Sequence, residues 1–169
     1  MTQAAPPGAD ADALDAIVTF LARIGVAVRE GEVRDPSFLP GVEIRDGGIV
    51  YDRARLRWPG DLLHEAGHIA VTPPARRAAL SDRLDAHPDA TPVSEVEAIA
   101  WSWAAALAIG IDPALVFHEH GYHGRSAALL ATFRCGVYPG AAGLAAAGMT
   151  HGAADAAQGR PPYPHMQAW

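Results

Sequence analysis

His64, Glu65 and His68 stand in the run Asp61-Leu62-Leu63-His64-Glu65-Ala66-Gly67-His68-Ile69-Ala70. Two histidines four apart project from the same face of a helix. Imidazoles so placed can share one Zn²⁺ at about 2.0–2.1 Å each. Glu65 leaves the helix about 100° from His64, beside the open position of such an ion, where a base must stand to take a proton from an activated water. For a chain with this content of His and Glu, chance supplies an H-E-x-x-H roughly 0.015 times. The bland alternative is a pair of ordinary helix histidines, one hydrogen-bonded in the core and one solvated.

Two imidazoles hold zinc poorly, so a third ligand is needed. Glu95 and Glu97 head an apolar stretch, where a carboxylate is expensive to bury unless a cation compensates it. Two residues apart on a helix is about 200°, so only one of them can face the histidines. Glu97, sharing its face with Val93, Ala100, Trp101 and Ala104, is the favoured ligand. Two other readings stay open: Glu95 as ligand, or Glu97 closing a capping box from Ser94 (Ser94-Glu95-Val96-Glu97). For the oxyanion formed in acyl hydrolysis, the loop His118-Glu119-His120-Gly121-Tyr122-His123 offers Tyr122 or His118 as donor; it could also be a solvated loop, or hold a second metal on His118, His120 and His123.

The HEAGH segment, followed 29 residues after His68 by Glu97-Ala98-Ile99-Ala100-Trp101, resembles the zincin metallopeptidases of gluzincin type, and more closely the ImmA/IrrE-like bacterial family. The likeness spans roughly residues 42–107. It implies one Zn²⁺ on His64, His68 and Glu97, with Glu65 as catalytic base, in a peptidase acting on a peptide or protein. This chain has Ile99-Ala100-Trp101 where the family commonly has Asn-x-Phe after Glu-Ala, and Asp61 where an uncharged residue is usual. Two other functions remain open: a zinc-holding regulatory module without turnover that works with a protein partner, and a zinc hydrolase of a small amide or ester.

These residues need elements to carry them. With 169 residues, half of them hydrophobic, the chain fits one domain. Leu14, Ile17, Val18, Leu21 and Ile24 give a first helix its apolar face, ending at Gly25. Residues 26–33 alternate weakly, as a strand does. Val42-Glu43-Ile44-Arg45 and Ile49-Val50-Tyr51-Asp52 flank Asp46-Gly47-Gly48, a hairpin signal; an edge such as 49–51 could pair with an extended peptide. Pro59 and Asp61 open the helix bearing the histidines, and Pro73-Pro74 ends it. A third helix, starting at Thr91-Pro92 or Ser94 and running to about Ile109, is apolar nearly all round and belongs in the core. Trp101 and Trp103 face different sides of it and are read as core.

The expected architecture is α+β: a compact, minimal zincin-like fold, mostly helical, with a small antiparallel sheet or hairpin beside the HExxH helix. Residues 1–10 read as a leader, 11–149 as the metallohydrolase domain and 150–169 as a C-terminal tail. In that tail Tyr163, His165 and Trp169 either cover the cleft or pack on the surface. The net charge of −6 argues against nucleic acid, which needs a basic footprint. Cys135 is the single cysteine, so neither an intrachain disulfide nor a cysteine-based zinc knuckle can form. With no basic, apolar leader and no run of about 20 apolar residues, the expectation is a soluble cytoplasmic protein.

Overall fold

The computed structural model describes residues 9–34, 37, 39–81 and 92–169. It is an α+β fold. Helix α1 (Ala9–Arg23) turns Leu14, Ile17 and Leu21 inward. Strands β1 (Val28–Glu30), β2 (Val42–Arg45) and β3 (Gly48–Tyr51) make one sheet in the order β1-β3-β2. The hairpin β2–β3 closes in antiparallel register, Arg45 opposite Gly48 and Val42 opposite Tyr51. Its two turn residues, Asp46 and Gly47, both take positive φ (53° and 73°), as a tight hairpin turn with the native twist demands.

Two expectations about the sheet are corrected. It is mixed rather than antiparallel, because β1 joins β3 in parallel, Val28 opposite Ile49. That pairing also makes β3 the central strand, so residues 49–51 have no free edge for a peptide. Short-range pattern revealed the hairpin; the parallel partner comes from a strand about twenty residues away, which no local signal encodes.

Helix α2 (Asp61–Val71) carries the histidines, and a short α3 (Pro74–Arg77) follows. Arg77 turns back to close the end of α2, Nε donating to the Thr72 carbonyl at 2.9 Å and a terminal nitrogen to that of Ala70 at 2.8 Å. Helix α4 (Pro92–Ile109) begins at Pro92, which puts Ser94 inside the first turn and not at a cap. From Ala98 through Ala106 every residue of α4 is buried, as its apolar composition requires. Trp101 packs toward Phe20 on one side and Trp103 toward Phe133 on the other. Helices α5 (Ser126–Arg134) and α6 (Ala141–Ala146) complete the bundle.

The last twenty residues are no surface appendage. Tyr163 is buried and donates its hydroxyl to the Ala100 carbonyl at 2.8 Å. Trp169 meets Phe20 edge to face at 4.9 Å and Trp101 at 5.6 Å. The segment therefore joins the core between α1 and α4, with only His165 of its three marked residues exposed. Its aperiodic sequence hid this, because it is anchored by single aromatic side chains and not by a repeating face. None of the described helices is long and apolar enough to cross a membrane.

Gly67 sets how closely α2 and α4 approach. A Cβ there would stand 2.7 Å from the Ala98 carbonyl oxygen and 3.1 Å from Ala98 Cα. This mid-helix glycine therefore lies close against the backbone of α4. Behind it, Ser102 Oγ lies 2.7 Å from the Ala98 carbonyl and 3.0 Å from that of Leu63, tying the two helices by one hydroxyl. In a free helix Gly→Ala gains about 1 kcal/mol. Here Gly67→Ala is expected to cost about 1–3 kcal/mol by overpacking. Thermal unfolding checks the sign: a higher Tm in the variant would mean the helices are not in contact there.

Candidate metal centre

The buried first turn of α2 begins with Asp61, and Asp61, His64, Glu65 and His68 fall along one face of the helix. His64 Nε2 and His68 Nε2 converge to 3.2 Å, their rings nearly perpendicular. From α4, Glu95 closes the triangle: Oε2 is 3.1 Å from His68 Nε2 and Oε1 is 3.7 Å from His64 Nε2. Among the described residues this is the group whose ligand atoms lie together, all within 4.8 Å of one another. Ligands at about 2.0–2.2 Å from a tetrahedral zinc stand roughly 3.2–3.6 Å apart. The three side chains therefore fit the donor set and spacing of such an ion, with two imidazoles and a carboxylate.

The structure thus brings Glu95, and not the expected Glu97, to the histidines. Glu97 points the other way, toward α6, where a Cβ on Gly143 would collide with its carboxylate. The reason is helix phase. Glu95, Ala98 and Ser102 form one stripe at i, i+3 and i+7, and Ala98 and Ser102 are the residues that meet Gly67. The small residues facing a mid-helix glycine were the signal that could have selected Glu95. Likeness to a family motif pointed two residues too far along the chain.

The electrostatics of the triangle are unequal. Burial, reinforced by the charge of His68, pushes His64 down to about 4. Burial also opposes the charge on His68, but the hydrogen bond to Glu95 and the charges of Glu65 and Glu95 outweigh it, so His68 lies above its ordinary value. Burial raises Glu95, and the His68 hydrogen bond with the charges of His64, His68 and His123 overcomes it, so Glu95 is held below the usual carboxylate range. The consequences for stability have opposite signs. The contribution of His64 is present above its unfolded value of 6.5 and is lost as pH falls toward 4. That of His68 is complete below 6.5 and is lost as pH rises through its raised folded value. Glu65 is buried on the same helix and acts on His68 through its charge.

Both expected oxyanion donors make a contact with groups of α2. His118 Nε2 is 2.9 Å from Asp61 Oδ1, and its ring stacks flat on Trp58, centroids 4.4 Å apart and planes within 4°. Tyr122 lies against the centre itself, its hydroxyl 3.3 Å from His64 Nδ1. The histidines of this loop do not gather into a second metal group: His118 is held by Asp61, and His120 is exposed and lies 3.4 Å from Glu119. Asp61, read from sequence only as a helix-opening residue, is the partner that sequence reasoning missed. Compared with known proteins, the chain matches no protein-family profile, no curated protein and no solved structure.

The unequal protonation gives a direct test of which glutamate belongs to the centre. Glu95→Gln removes the hydrogen bond and one of the two charges that hold His68 up, leaving burial opposed only by the charge of Glu65, so His68 is expected to titrate lower than in the wild type in the metal-free protein. Glu97→Gln should leave His68 where it is. Imidazole NMR titrations of both variants check this, and the reverse pattern would return Glu97 to the site.

Proposed function

We propose that the protein is a zinc-dependent hydrolase that cleaves peptide bonds, with Glu65 as general base. One observation carries the reading: two imidazoles from α2 and one carboxylate from α4 converge at ligand spacing beside a buried glutamate. A zinc ion held there would act as a Lewis acid and bring the pKa of water toward about 7. His64 suits the ligand role because burial keeps it neutral, its lone pair available. Glu95 favours the protonated form of His68, which cannot ligate, so metal uptake would weaken as pH falls. Glu65 is adjacent to His64 in sequence and lies a quarter turn around the helix. With zinc bound, it would be the group to take the proton as water attacks the carbonyl and to pass it to the leaving amine.

Three ligands leave a tetrahedral ion one open position, and among the described residues no fourth His, Cys, Asp or Glu joins the group. Glu95 is 46 % exposed, so the centre is reachable from solvent on that side. Both features favour turnover over a closed structural site. The HEAGH segment supports the peptidase reading by its resemblance to the zincins, with Glu95 in place of Glu97 as third ligand.

Metal analysis by mass spectrometry is expected to find one equivalent of zinc in the wild type, none in the His64→Ala/His68→Ala double variant, and full zinc in Glu97→Gln. Glu65→Gln should keep the zinc and lose hydrolysis of an unstructured protein such as casein by about 10²–10⁴-fold. Zinc retained in the double variant would sink the centre; undiminished hydrolysis by Glu65→Gln would remove that residue from the mechanism.

A further inference from the structure

The segment that follows the 3₁₀ turn Pro113–Leu115 is built in an unusual way. Tyr122 and His123 both lie in the left-handed region, at φ 53° and 54°, followed by Gly124 at 78°. Side chains other than glycine rarely adopt this conformation, and a bulky aromatic does so only where its surroundings dictate it. Here they do. The Gly121 N–H donates to the His118 carbonyl at 3.0 Å, Ser126 Oγ to the Gly121 carbonyl at 3.0 Å, and the Arg125 N–H to the Tyr122 carbonyl at 3.1 Å. The Tyr122 ring stacks on Phe117 at 5.3 Å. The start of the segment is pinned to α2 twice, by the His118–Asp61 hydrogen bond and by Gly60, where any Cβ would collide with the Leu115 carbonyl.

All this constraint delivers one polar atom to the centre. The Tyr122 ring stands edge-on to His64 at 5.2 Å, with its hydroxyl 3.3 Å from Nδ1. A neutral imidazole carries a single N–H, and the partner of one nitrogen decides which one bears it. If Nδ1 bears it, Nε2 is left with a lone pair toward His68 and Glu95. If Nε2 bears it, His64 cannot ligate. Strained backbone is commonly retained where it holds a functional group in place.

We propose that the Tyr122 hydroxyl is the positioning group of His64: it accepts the Nδ1–H and so keeps the Nε2 lone pair directed at the point shared with His68 and Glu95. Tyr122 thereby acts through His64, by its oxygen lone pair; the hydroxyl's own proton is not used in this contact. The ligand half of this inference rests on the zinc reading; the hydrogen-bond half does not.

Two measurements separate them. In metal-free wild-type protein at neutral pH, long-range ¹H–¹⁵N NMR of the imidazoles is expected to show His64 with its proton on Nδ1. Tyr122→Phe keeps the ring and its stacking but removes the oxygen. It should shift His64 toward the Nε2–H form and weaken zinc binding, measured by chelator competition, by about 10–100-fold. Tyr138→Phe, in the neighbouring aromatic cluster, should change neither. A wild-type His64 protonated on Nε2 overturns the proposal even if the variant does not fold, as does a Tyr122→Phe protein with unchanged tautomer and affinity. If the wild type binds no zinc while its His64 tautomer still depends on Tyr122, the positioning contact stands and the zinc reading falls.

Discussion

The contact between Gly67 and the backbone of Ala98 governs the centre. It lets α2 and α4 approach so closely that a Cβ at 67 would stand 2.7 Å from the Ala98 carbonyl oxygen. With that spacing a carboxylate one turn up α4 reaches imidazoles one turn apart on α2. Any larger residue at 67 would hold the helices apart and move Glu95 away from His68. The helix-propensity penalty of a mid-helix glycine, about 1 kcal/mol, is the cost of bringing three ligand atoms from two helices to one point. Ser102 reinforces the same contact by placing one hydroxyl between carbonyls of both helices.

On that frame the centre is electrostatically asymmetric. His64 is the more enclosed imidazole and resists protonation; His68 leans on Glu95 and favours it. A single cation shared by all three atoms would suit both tendencies, since it would place positive charge beside Glu95 and would need the neutral form that burial already imposes on His64. The fit of the donor set to a divalent ion is therefore chemical as well as geometric, which is why a zinc centre is the reading adopted over two satisfied core histidines.

The segment from Pro113 to Gly124 forms the other wall. Its contacts reach Gly60, just before α2, and Asp61 and His64 within it, so the wall is registered on the helix that bears the histidines. The polar groups in this wall spend their hydrogen bonds on that registration. His118 Nε2 is held by Asp61 with its ring on Trp58, and the Tyr122 oxygen lies against His64.

From the sequence alone came everything that depends on neighbours in the chain. The His64/Glu65/His68 face follows from helical period, the β2–β3 hairpin from Asp46-Gly47-Gly48, and the core position of α4 from its lack of a polar face. What required the folded molecule were relations between distant segments. Glu95 displaced Glu97 because the phase of α4 is set by what packs against Gly67. β1 inserted in parallel and covered the edge of β3. The aperiodic C-terminus entered the core through Tyr163 and Trp169. Periodicity reports which residues share a face, but which face meets which neighbour is decided by shape and close contact across the tertiary structure.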